Sequence, residues 1–140
     1  MQVVHFHSSA RETEPIVIRK GRSCYSDQLG ILRPEYNPKG LINQKVVCLL
    51  VKKDKKTGKL VPRYDNIIFA GQAGSHCVLE TVRQIAEEFA SLPGFTQRLI
   101  VLSDCMSPVN EEFRQPMLDG FDELVRVHGV QLKSSTDLVL

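Results

Sequence analysis

The sequence predicts an α/β fold, a three-layer α/β/α arrangement with a mainly parallel sheet and helices on its faces. Two short apolar runs, at 67–70 and 99–102, have the length of buried strands, and 130–132 reads as the last strand. Between them lie two segments whose apolar residues recur at helical spacing. These are Val78, Val82, Ile85, Ala86 and Phe89 in the first, and Phe113, Met117, Phe121, Leu124 and Val125 in the second. Strand, helix, strand, helix, strand in alternation is the pattern of parallel strands joined by helical crossovers. With 140 residues, 42% of them hydrophobic, the chain makes one domain over 1–140.

Residues 1–14 show little periodicity, and Val3, Val4, Phe6 and Ala10 fit a short amphipathic helix ending near Arg11. His5 and His7 alternate, but no third ligand or carboxylate stands at ligand spacing, so they read as surface or half-buried histidines. Pro15 breaks the chain, and Ile16-Val-Ile18 is a β-branched run, a buried strand with Lys20 at its carboxyl end. Residues 21–40 are rich in Gly, Pro, Asn and Ser. A loop of that length inside one domain suits a cover over a site, and its Tyr25, Leu29, Ile31 and Leu32 need an apolar surface to pack on.

Residues 41–53 support two readings. Val46-Val-Cys-Leu-Leu-Val51 looks like a strand that a hairpin through Thr57-Gly58 would close. If the strands at Ile16 and Ile67 are parallel neighbours, however, the link between them needs a helical crossover, and a helix is expected here. The run at 67–70 is bounded by Gly71 and reads as a strand covered on both faces. After the first long helix Pro93-Gly94 turns the chain. The second, over 113–127, ends at Gly129, the residue expected just past a helix C-terminus.

Composition excludes several function classes. The net charge is +2, and the densest basic cluster, 52–59, has no aromatic residues interleaved, so it reads as a solvated loop and not a nucleic-acid surface. No apolar run approaches the ~20 residues of a membrane span, and no signal-peptide core opens the sequence. Cys24, Cys48, Cys77 and Cys105 have no CxxC spacing, which points to reduced thiols and a cytoplasmic setting.

The chemistry gathers at Cys77. It lies where a helix begins, and there the unpaired N–H groups and the positive dipole end favour the nucleophilic thiolate. In open parallel sheets the binding crevice lies at the carboxyl ends of the strands. Lys20, the 71–77 turn, Asp104 and Cys105 each follow a strand and are expected at that edge. A lysine beside the thiol stabilises the thiolate and can carry a proton, and the small residues of the turn let backbone N–H groups approach a carbonyl oxygen. Against this stand plainer readings: a cysteine after an apolar strand is often a small core residue, and Asp104 can hold a loop through backbone bonds. His76 reads as a wall or substrate contact, because adjacent side chains at a helix start diverge. The glycines and alanine before Cys77 favour the nucleophile.

The segment Ala70-Gly-Gln-Ala-Gly-Ser-His-Cys-Val78 resembles the nucleophile turn of the isochorismatase-like cysteine hydrolases, a Rossmann-like family that includes the nicotinamidases. Ile18-Arg-Lys-Gly21 followed by Tyr25-Ser26 resembles that family's lysine strand. Leu102-Ser-Asp-Cys-Met-Ser-Pro108 and Val130-Gln-Leu-Lys-Ser-Ser-Thr-Asp137 are similar to pieces of a nicotinamidase-related branch. The resemblance spans about residues 6–137. It implies amide hydrolysis through a thioester on Cys77, with Lys20 as the triad lysine and the N–H groups of Ala73 and Cys77 as oxyanion hole. It also implies a cis peptide at Gln72–Ala73 and substrate-pocket roles for Tyr25, His76 and Asp104.

The family's catalytic aspartate and its metal-binding aspartate and histidines have no counterpart before Lys20, and the chain has no aspartate before Asp27. The sequence therefore reads as the C-terminal two-thirds of the family domain, with a zinc-type metal entering only through an upstream part and no cofactor site of its own. Asp104 and Asp27 are the candidates for a substitute base. The expected partner is a small amide, and an incomplete sheet with an exposed edge invites a homo-oligomer.

Overall fold

The computed structural model describes residues 3–6, 16–20, 28–34 and 42–138. In chain order the elements are β1 (Val3–Phe6), β2 (Ile16–Arg19), α1 (Gln44–Leu50), β3 (Val51–Lys53), β4 (Leu60–Pro62) and β5 (Ile67–Gln72). A π-helical turn (Gly74–Val78) leads into α2 (Leu79–Glu88), and β6 (Leu99–Ser107), α3 (Arg114–His128) and β7 (Gln131–Lys133) follow. The fold is mixed α/β. A parallel sheet of order β5-β6-β7 is its centre, and β1-β2 and β3-β4 form separate antiparallel pairs. No described helix is long and apolar enough to cross a membrane.

Periodicity located the core. Val78, Val82, Ile85, Ala86 and Phe89 are all buried, as are Met117, Phe121 and Leu124, and they join Ile67, Leu99 and Val101 in one cluster. Val125 is instead 40% exposed. At ~100° per residue it falls about 80° from Met117, outside the stripe that Phe121 and Leu124 keep. Gly129 ends α3 in the left-handed conformation (φ 71°), and its N–H donates to the Val125 carbonyl at 3.0 Å.

The expectation of a strand covered on both faces fails for β5, where Ile68 is 40% exposed and Ala70 is exposed, whereas 99–102 of β6 are all buried. The strand order accounts for the exposure on β5. The strands lie side by side in chain order, so two crossovers of the same hand put both helices on the same face, and α2 and α3 pack on each other. The opposite face carries Ile68, Ile100 and Leu102. Helices on two faces would need the strand order to reverse.

Two expectations near the N-terminus are corrected. Residues 3–6 form a strand and not a helix, and they pair with β2 from Val3↔Arg19 to Phe6↔Ile16. A short Val-rich stretch has weak helix propensity, and pairing with Ile16–Arg19 satisfies the backbone groups of both segments. It follows that β2 is an antiparallel partner of β1 and not a parallel neighbour of β5. His7, Ala10 and Arg11 lie outside the described residues.

Both readings of 41–53 occur in succession. Asn43 caps α1 by accepting from the Lys45 N–H at 3.2 Å, and Val46 and Leu50 bury one side of the helix. Val51 then turns extended and pairs with Pro62. The hairpin closes through Thr57-Gly58, with Gly58 at φ 68° and Asp54 accepting from the Lys56 and Thr57 N–H groups at 2.9 and 2.7 Å.

Residues 28–34 dock on α2 through Gln84, a residue no sequence pattern singled out. Its side chain is buried, and its amide oxygen accepts from the Leu32 and Arg33 N–H groups at 3.0 and 3.2 Å. Its amide nitrogen donates to the Arg33 carbonyl at 2.9 Å. Gly30 lies so close that a Cβ there would stand 2.3 Å from the amide oxygen. Gln84→Leu keeps the volume but leaves two backbone donors without their acceptor. Urea titration should show a loss of about 2 kcal/mol or more, since each orphaned buried donor costs roughly 1–3 kcal/mol.

Candidate active site

The carboxyl end of β5 is shaped by a break in its pairing with β6. Phe69 faces Val101, yet Gly71 faces Met106, so β6 spends five residues where β5 spends two. The extra residues carry Ser103, Asp104 and Cys105 away from β5 and towards the loop after β7. Met106 and Ser107 then return beside Gly71 and Gln72, and the Ser107 hydroxyl donates to the Gln72 side-chain oxygen at 2.8 Å. Gly71 has φ 121°, a backbone conformation that side chains disfavour.

The peptide Gln72–Ala73 is cis, at the position the resemblance specifies. The chain then enters the π-helical turn, in which the Val78 N–H donates to the Ala73 carbonyl at 3.1 Å. Such wide turns inside helices are frequent at functional sites. Gly74 explains the small-residue character of the turn. A Cβ there would lie 2.7 Å from the Met117 sulfur on α3 and 3.2 Å from Met106 on β6. The turn is therefore held between the next strand and the next helix.

Within the turn Cys77 is half-buried, and Cys48, Cys77 and Cys105 all carry reduced thiols. His76 is also half-buried. Its Nδ1 lies 2.8 Å from the Ser75 hydroxyl oxygen, and Phe113 meets its ring edge-on at 4.8 Å between centroids. Ser75 Oγ also accepts from the Val109 N–H at 3.1 Å. Ser75 and Phe113 carried no distinguishing sequence signal, because their contacts come from segments 34 and 37 residues apart.

Lys20 reaches the structure by a different route from the one expected. It follows β2, which is not in the parallel sheet, and its ammonium donates to the Leu29 carbonyl. Leu29 lies in the 28–34 segment docked on Gln84, so Lys20 is linked to the helix that the Cys77 turn begins. Tyr25, Asp27 and Cys24 lie outside the described residues.

Asp104 holds the loop after β7. One carboxylate oxygen accepts from the Ser135 N–H at 2.8 Å, and the other accepts from the Ser135 and Ser134 hydroxyls at 2.6 and 3.1 Å. The Ser135 hydroxyl, then the Ser135 N–H, lower its pKa from 3.8 to about 2. That is the loop-holding reading, and a carboxylate so engaged is a poor proton acceptor. Cys105 is exposed and directs its thiol at the same carboxylate, at 3.7 Å.

A cleft of about 660 Å³ lies between β2 and α1, lined by Val17, Ile18, Arg19, Asn43 and Lys45, and none of the turn residues line it. Among the described residues no group of three His, Cys, Asp or Glu side chains is placed to hold a metal ion, so a metal site is not formed from them. Comparison with known proteins found no matching family model, no matching curated protein and no matching solved structure.

The Asp104 contacts have a consequence in acid. A carboxyl whose pKa is lower in the folded chain stabilises it above its unfolded pKa, and loses that effect as pH falls through the folded value. The window here runs from 3.8 down to about 2. Denaturation of the unaltered chain and of Asp104→Asn, compared across that range, should show the stability difference between them shrinking as pH falls. In Ser135→Ala the Asp104 titration, followed by NMR, should move up towards the ordinary carboxylate range.

Proposed function

We propose that this chain is a cysteine hydrolase of the isochorismatase-like, nicotinamidase-related type, which cleaves the carbon–nitrogen bond of a small amide. One observation carries the reading. A parallel strand ends in a tight turn, pinned at Gly74, that sets a half-buried reduced thiol at the start of a helix at the carboxyl edge of the sheet.

In this mechanism the Cys77 thiolate attacks the amide carbonyl carbon, and the negative oxygen of the tetrahedral intermediate is taken by the N–H groups of Ala73 and Cys77. The carbon–nitrogen bond breaks, the leaving nitrogen gains a proton, and a thioester to Cys77 remains. Water then attacks the thioester, giving the carboxylic acid and restoring the thiol. Lys20 is the proton carrier and Tyr25, His76 and Asp104 are pocket candidates, so the 28–34 segment would need to bring Lys20 to the thiol. No metal or organic cofactor enters these steps. The three-layer, Rossmann-like form belongs to the same proposal, with the exposed side of β5 at Ile68 and Ala70 as the place where a third layer packs.

A second reading has its own support. The Asp104 oxygens accept from Ser134 and Ser135, and the Lys20 ammonium donates to the Leu29 carbonyl, so these two candidate acid–base groups are engaged in holding loops. On that reading the chain is a catalytically incomplete member that binds a ligand or partner. Ammonia release from nicotinamide and other small amides separates the two. Under the hydrolase reading the unaltered chain turns over one of them and Cys77→Ala loses at least about 10³-fold in kcat. Unchanged turnover in Cys77→Ala, or no release from any amide, would sink it.

A further inference from the structure

The densest charge in the chain sits on an ordered hairpin, where the sequence suggests only a solvated loop. Residues 52–59 carry five lysines and one aspartate, a charge of +4 in a chain of net +2, so the rest of the chain carries −2. In the hairpin Lys53 pairs with Leu60 and Lys52 with Val61. Asp54, the one acid, is engaged in the turn. Its Oδ1 accepts from the Lys56 N–H, the Thr57 N–H and the Thr57 hydroxyl at 2.9, 2.7 and 3.0 Å. Lys52, Lys53, Lys55, Lys56 and Lys59 are all exposed. Among the described residues none of them forms an ion pair, whereas Arg33, Arg83, Arg98 and Arg114 do. Beside them Leu60 is 46% exposed. The turn itself is made by Asp54, Thr57 and Gly58, and five like charges so close repel one another. An anionic partner turns that repulsion into attraction.

The chemistry of the cluster selects among anions. A lysine head is a hydrated point charge on a flexible stem, without the planar fork of arginine or the stacking face of an aromatic ring that nucleic-acid surfaces use. Residues 52–60 hold no arginine and no aromatic residue. The lysines also lie on both faces of the ribbon and around its tip, since Lys52 and Lys53 are consecutive in β3 and Lys55 and Lys56 are in the turn. Such a spread suits a diffuse field, felt within a Debye length of ~8 Å, more than a shaped pocket. Leu60 adds an apolar side chain that can sink below lipid headgroups while Lys53, opposite it, keeps its charge among them. We propose that the β3–β4 hairpin docks the chain on an anionic lipid surface, with the lysines supplying the attraction and Leu60 the insertion. The negative charge of the rest of the chain makes the approach one-sided, hairpin first. None of this depends on the hydrolase reading.

Co-sedimentation of the full chain with phosphatidylcholine vesicles, with and without about 30% phosphatidylserine, at about 0.1 M salt tests this. Binding is expected only where phosphatidylserine is present, and it should fall steeply as salt rises. Lys55→Gln with Lys56→Gln should weaken it about 25-fold, at about fivefold per lysine. Arg126→Gln with Lys133→Gln, the same loss of charge elsewhere, should leave it almost unchanged. Leu60→Ser should cost about fivefold with no change in the salt dependence. The urea midpoint of each variant, expected to be unaltered, separates lost binding from lost folding. No binding to phosphatidylserine vesicles, equal binding to both kinds of vesicle, or equal loss in the two double variants overturns the proposal. Full binding by Leu60→Ser removes the insertion half. Tighter binding to single-stranded RNA than to the vesicles, at the same salt, assigns the hairpin to nucleic acid and overturns the proposal too.

Discussion

The passage from β5 to α2 is the constraint on which the rest of the structure depends. The chain must leave a parallel strand and enter a helix within a few residues, under the side chains of Met106 and Met117. Gly74 leaves no room for a Cβ, Gly71 supplies the positive φ, and the wide π-helical turn absorbs the change of direction before Leu79. This geometry sets where Cys77 and His76 stand, and Ser75 and Phe113 also contact the His76 ring. The same crowding ties the turn to β6 and α3, so the site and the core are parts of one packing arrangement.

The sheet explains why chemistry and bare surface lie so near each other. Strands in the order β5-β6-β7 send both crossovers over one face, which buries α2 and α3 well and leaves Ile68 and Ala70 exposed on the edge strand. The break in register between Phe69 and Gly71 then divides the carboxyl edge in two. On one side the Cys77 turn faces Met106 and Ser107. On the other, Asp104 is drawn to Ser134 and Ser135, where its charge holds a loop. An aspartate and a cysteine that both follow strands of one sheet are thus given different work by five residues of β6.

Much of this was legible in the sequence, for identifiable reasons. Helical spacing marked the buried residues of α2 and α3, the apolar runs marked β5 and β6, the place after the second helix marked β7, and Gly129 marked the end of α3. What periodicity lacks is direction. It could not show that Ile16–Arg19 pairs with Val3–Phe6 and not with β5, because a short β-branched run fits either partner. It could not choose between helix and strand over 41–53, since a seven-residue helix and a three-residue strand share one apolar run. Within the candidate site, Cys77 and the turn were legible because small residues beside a cysteine are a local pattern. Gln84, Ser75 and Phe113 were not, because each acts through a partner more than thirty residues away. Asp104 was legible as a polar strand end, but its use was not.

The central claim is that the turn makes a nucleophile of Cys77, and the chain contains its own controls in Cys48 and Cys105, which are both exposed and reduced. The most direct measurement is the rate of iodoacetamide alkylation of each cysteine at neutral pH, followed peptide by peptide by mass spectrometry. An activated thiol should react several-fold faster than Cys48 and Cys105 although it is less exposed, because the thiolate is the reacting form. If Cys77 reacts no faster than those two, the turn is only a way of packing a small residue, and the account of this site is wrong.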